Sequence, residues 1–140
     1  MSKIDPDLLL LVRQWFQKAR EDLWMAEKAA PFPDAPTDLI AFHAQQAAEK
    51  CLKGLLTFYQ IEFPKIHDLG SLIRLLEPAW EKFPASLAKA DRLSAFAVLT
   101  RYPHEAESLT PAQAQEALVL AQRIWSDGQR HLKKKGVRIE

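Results

Sequence analysis

Apolar residues recur along most of the chain at steps of three and four, the period of a helix with one buried face, and nowhere alternate in twos as a half-buried strand requires. The clearest series is Ile40, Ala44, Ala47, Ala48, Cys51, Leu52, Leu55 and Tyr59, which predicts one helix from about Thr37 to Gln60. Its small alanines let neighbouring helices approach closely. Before it, Leu8, Val12, Trp15, Phe16, Ala19, Leu23, Ala26 and Ala30 predict a first helix. That helix opens at Asp5-Pro6, a cap followed by proline where the missing N–H costs nothing, and stops before Pro31, Pro33 and Pro36. Thr37 or Asp38 is the expected cap of the second helix, and the short proline loop predicts antiparallel packing of the pair.

Beyond Gln60 the period lapses over Ile61 to His67 and resumes as a short third helix with Asp68 near its start. Pro84 and Ser86 introduce a fourth, with Leu87, Ala90, Leu93, Ala97 and Val98 inward, ending near Thr100 because Pro103 restricts Tyr102. Thr110-Pro111 repeats the cap-then-proline signal, and Ala114, Ala117, Leu118, Ala121, Ile124, Trp125 and Leu132 carry a long fifth helix toward Gly136. The expected fold is all-α: an up-and-down bundle of four to five helices, four main and one shorter. It forms a single domain over residues 1–140, with a core from about 6 to 135 and a basic tail from 133 to 140.

Composition adjusts this picture little. Apolar residues make up 48% and charged residues 26%, values of an ordinary globular domain. A net charge of +1 excludes a generally basic nucleic-acid coat, so affinity for phosphate has to come from a local cluster. Cys51 is the only cysteine and lies on the apolar stripe, which excludes an intrachain disulfide and a cysteine-based zinc site. No membrane span or leader pattern is visible, and the expected location is the cytoplasm.

The candidate chemistry falls in four places. His43, Gln46, Lys50 and Lys53 follow one another at helical steps beside the apolar stripe, and read either as a phosphate- or nucleotide-binding face or as a solvated one. His67-Asp68 reads as a helix cap or as part of a site. In Thr100-Arg-Tyr-Pro-His104, Arg101 offers a bidentate anion donor, Tyr102 a stacking ring and His104 a titrating group, unless Arg101 instead caps helix four. Lys133-Lys-Lys-Gly-Val-Arg138 reads as a solvated terminus or an RNA contact. Paired histidines at metal spacing, a Walker loop and a Ser-His-Asp order are all missing, so neither metal nor cofactor is expected. If Trp15, Phe16 or Phe58 is left exposed, a two-fold homodimer is the expected consequence.

Phe42-His-Ala-Gln-Gln-Ala-Ala-Glu-Lys-Cys-Leu-Lys53, Pro64-Lys-Ile-His-Asp-Leu69 and Thr100-Arg-Tyr-Pro103 together closely resemble the HEPN domain family, the nucleotide-binding domains shared by higher eukaryotes and prokaryotes. Trp15, Ala19, Asp22-Leu23 and Ala26 resemble that family's first helix, and the likeness spans about residues 10 to 130. It implies a helical bundle, often a homodimer, that pairs with a small nucleotidyltransferase in a two-component, toxin–antitoxin-like system. It also implies a nucleotide- or RNA-phosphate site at His43, Gln46, Lys50, Lys53, His67, Arg101 and Tyr102. Many members are metal-independent ribonucleases that resemble one another in an arginine followed four to six residues later by a histidine. Here Arg101 and His104 are three apart with Pro103 between, so the nucleotide- or partner-binding branch is the leading reading. A ribonuclease using Arg101 and His104, and a ligand-free interaction module, are the alternatives.

Overall fold

Asp5 caps the first helix, α1 (Pro6–Ala29), by accepting from the Asp7 N–H, with Pro6 in its first turn. The structure, a computed structural model, describes residues 4–99 and 109–139. The proline loop then reverses the chain into α2 (Thr37–Phe58). Contacts such as Phe16 with Gly54 and Asp22 with His43 run in opposite directions along the two helices, so they pack antiparallel. The expected stripe from Ile40 to Leu55 is buried throughout, and Tyr59 is half-buried. Burial also pushes the Cys51 thiol far above its ordinary pKa, which leaves it an inert core group.

The cap of α2 differs from expectation. Pro36 occupies that position, and Thr37 and Asp38 reach sideways instead. Thr37 Oγ1 donates to the Leu109 carbonyl at 2.6 Å, and Asp38 Oδ1 accepts from the Leu109 N–H at 3.1 Å. The α2 start thereby fastens the chain just ahead of α6 (Pro111–Lys134), whose own start is the predicted Thr110 cap, here a full capping box with Gln113. Leu55 near Gly128 and Tyr59 beside His131 show α6 running parallel to α2.

The expected fourth helix is broken into α4 (Ala85–Ala88), a 3-10 turn at Ala90–Leu93 and α5 (Ser94–Leu99). The cause lies in α3 (Leu69–Leu76), which Asp68 caps as expected. Asp91 Oδ1 accepts from the Gly70 N–H at 3.0 Å and Ser94 Oγ accepts from the Leu69 N–H at 3.0 Å. Two side chains of the broken helix thus serve the exposed donors of another helix, and a Cβ at Gly70 would lie 2.9 Å from Asp91. The bundle remains up-and-down: His67 at Glu49 and Trp80 on the His131 that bonds Tyr59 show α3 running in the direction of α2, and the chain returns from Ser86, beside Asp127, to Leu109, beside Asp38.

Phe16 sits where the three long helices meet. Ideal Cβ atoms on Gly54 of α2 and Gly128 of α6 would stand 2.9 and 3.0 Å from its ring, and Trp125 Nε1 donates to the Phe16 carbonyl. At the far end Val137 is fully buried and Arg13 Nε donates to the Arg138 carbonyl at 2.8 Å, so the basic tail is docked on α1. Among the described residues there is no strand, and no helix long and apolar enough to cross a membrane.

Candidate functional site

The polar residues beside the α2 stripe gather around two carboxylates on different helices. Asp22 of α1, with its side chain 13% exposed, accepts from His43 Nδ1 at 2.9 Å and from Lys50 Nζ. Since the carboxylate only accepts, the shared proton belongs to His43 Nδ1. The second carboxylate, Glu49, is 4% exposed in its side chain and accepts from Lys53 Nζ at 3.1 Å and His67 Nδ1 at 2.9 Å. Gln45, fully buried, donates weakly to Glu49 at 3.4 Å and accepts from Gln46 Nε2 at 2.7 Å. Lys53 also lies over the Trp15 and Phe63 rings, 5.8 and 5.9 Å from their centroids.

The structure therefore joins His43 with Lys50, and Lys53 with His67, while Gln46 bridges toward the second pair. Neither lysine on this face is a free cation. Arg101, Tyr102 and His104 lie outside the described residues. Asp22, Gln45 and Glu49 stand within the stretches that carry the family resemblance, but sequence reasoning did not assign them to the site. Glu49 is detectable from its i,i+4 spacing to Lys53; Asp22 leaves no local signal, because it meets His43 and Lys50 across a helix pair. Two carboxylates face two ammonium groups, so the charges of Asp22, Glu49, Lys50 and Lys53 cancel. The cluster is a set of hydrogen-bonding groups held in place by buried carboxylates, with His67, its side chain 54% exposed, at the open edge.

The HEPN domain model matches residues 12–131, most of the chain and all of this cluster. The chain belongs to the HEPN domain family. Two solved structures have the same fold: TT1696 from Thermus thermophilus and ST0689, an archaeal HEPN homologue. The first is 30% identical with a TM-score of 0.72, covering 85% of this chain and 96% of the other. The second is 30% identical with a TM-score of 0.66, covering 86% of this chain and 96% of the other. Comparison with curated proteins finds no match.

This HEPN domain has a second polar feature that no motif announced. His131 of α6 stacks on Trp80, ring centroids 3.7 Å apart and 23° from parallel, and shares a hydrogen bond with the Tyr59 hydroxyl. Desolvation first, then the Lys135 and Lys134 charges, lower the His131 pKa from its ordinary 6.5 to about 4. Asp127, one turn back on α6, is the carboxylate nearest in sequence and is occupied by Ser86 and Arg130. Because the folded pKa is depressed, the unfolded chain takes up the proton first. The neutral stack's contribution is complete above about pH 6.5 and is lost as pH falls toward 4. Thermal unfolding of wild type and His131→Phe across that window checks this. The wild type should lose more stability on acidification than the variant, and a pH-independent difference would contradict it.

Proposed function

We propose that this HEPN domain binds a nucleotide or polynucleotide through its phosphate. The site is the α2 face of His43, Gln46 and Lys50, with the buried Lys53 as the counter-charge that holds Glu49 in place, completed by His67 and by Arg101 and Tyr102. The observation that carries this reading is the pair of buried carboxylates, Asp22 and Glu49, each holding one imidazole through Nδ1 and one ammonium group. Such anchoring fixes the donors before a ligand arrives, which lowers the ordering cost of binding. Since the cluster's own lysine charges are balanced, Arg101 supplies the net positive charge facing phosphate, and Tyr102 the stacking ring. Both ends of the segment carrying them are fixed beside α2: α5 packs against it, and Leu109 is bonded to Thr37 and Asp38.

The protein acts in this reading as a cytoplasmic homodimer beside a small nucleotidyltransferase, in a two-component, toxin–antitoxin-like system. Phe16 is fully buried and Trp15 and Phe58 half-buried, so support for a dimer shifts to other residues. Leu10, Leu11, Trp24 and Met25 leave apolar side chains exposed on α1, with Trp24 at 53%.

Calorimetric titration with nucleotides and a short RNA tests the site. A Lys50→Ala, Arg101→Ala double variant should bind at least about tenfold more weakly, a loss of about 1.4 kcal/mol. Equal binding by wild type and variant, or none by either, sinks the proposal. Cleavage of RNA in the presence of chelator, abolished by His104→Ala, would instead favour the ribonuclease alternative.

A further inference from the structure

We propose that the cavity at the C-terminal end of α2, roofed by Trp80 and His131, is a separate binding site for a small organic phosphate. The cavity measures about 670 Å3, within the usual range of small-ligand sites. It is independent of the face proposed above. None of its lining residues belongs to that face, and Tyr59 in its wall is sixteen residues from His43, about 24 Å along α2, and nine from Lys50, about 14 Å.

Charge decides the class of ligand. Lys82, Arg130, Lys134 and Lys135 line the cavity against Glu81 and Asp127, a balance of four positive and two negative with His131 neutral. Asp127 is already engaged by Ser86 and Arg130, and among the described residues Lys82, Lys134 and Lys135 have no ion-pair partner. The excess of two positive charges matches a phosphate monoester dianion, which lysines meet as point charges and Arg130 as a planar fork.

Two features distinguish this cluster from lysines that merely offset a helix end. The last carbonyls of α6 are taken by backbone N–H groups: Lys135 N–H on His131, Gly136 on Lys133 and Val137 on Leu132. The lysine ammonium groups are therefore not consumed in capping. The second feature is Lys82, which belongs to no helix and holds φ of 58°. Gln60 shares that conformation, but there the Ile61 N–H to Leu56 carbonyl bond of a helix end explains it. At Lys82 the strained backbone delivers a cation to the cavity rim, where a glycine would sit without strain.

The body of the ligand is organic, because the cavity far exceeds a bare phosphate. Its wall beside the cations is apolar and aromatic, from Tyr59, Ala79, Trp80 and Pro84. Tyr59 and His131, hydrogen-bonded to each other, add polar atoms to the lining.

Phenyl phosphate, phenol, pyrophosphate and a ten-nucleotide RNA serve as probes, titrated calorimetrically into the full chain. Phenyl phosphate should bind and phenol should not; pyrophosphate should bind and compete. Lys82→Ala with Lys135→Ala should weaken phenyl phosphate by about tenfold or more. Lys82→Gly is the structural control: it should raise the unfolding temperature while weakening binding, which a residue kept only for the turn would not do. Three results overturn the proposal: no binding of phenyl phosphate, equal binding of phenol, or binding that the Lys82 and Lys135 variants leave unchanged. RNA binding that depends on these lysines without phenyl phosphate binding also overturns it, and assigns the cations to a polynucleotide backbone.

Discussion

Glu49→Ala should destabilise the fold by about 3–5 kcal/mol, the cost of leaving a buried charge without its partner. Glu49 is 3% and Lys53 7% exposed, so water cannot replace the lost carboxylate at the ammonium group. Gln45, fully buried, loses an acceptor in the same step, while His67 at the open edge simply turns to solvent. Removing both charges is a different experiment. Glu49→Leu with Lys53→Met keeps volume and leaves no ion stranded, and should cost far less than the single change. Urea unfolding of the single and double variants makes the comparison. A double variant as unstable as Glu49→Ala would mean that the network contributes through packing instead of charge.

Phe16→Ala should cost about 3–5 kcal/mol, because its cavity opens where α1, α2 and α6 meet. The ring is fully buried and packs at 6.3 Å from the Trp125 ring, so collapse from one side would separate another pair of helices. The converse change is also informative. Gly54→Ala improves helix propensity by about 1 kcal/mol but sets a methyl group 2.9 Å from the Phe16 ring. Overpacking wins, with a net loss of about 1–3 kcal/mol. Phe16→Leu in the Gly54→Ala background should restore part of it. If Gly54→Ala alone raises the midpoint of urea unfolding, the close approach of α1 and α2 is not limited by this ring.

The long helices were legible because each declares itself locally. The stripe from Ile40 to Leu55 repeats with the helical period, and Asp5-Pro6 and Thr110-Pro111 satisfy exposed donors at the starts of α1 and α6 without help from elsewhere. The broken fourth helix was not legible. Its apolar positions fit one continuous helix, and only the demand of the α3 N–H groups for Asp91 and Ser94 interrupts it. Thr37 and Asp38 are misread for a similar reason: their side chains serve Leu109, more than seventy residues away.

The candidate site divides along the same line. By itself the sequence determined an all-α chain, its three long helices, a likeness to the HEPN family and a polar face at His43, Gln46, Lys50 and Lys53. The helices and the polar face rest on residues within a few turns of one another, where spacing alone dictates what shares a face, and the family likeness on three motifs between Phe42 and Pro103. Only the tertiary structure decided the charge state of that face, because Asp22 arrives from α1 and His67 from the loop after α2. The same holds for the cavity, which draws Tyr59, Lys82 and His131 from three separated stretches. Coulombic and hydrogen-bonding partners are chosen by distance in space, and helical periodicity carries no record of which helix a given face will meet.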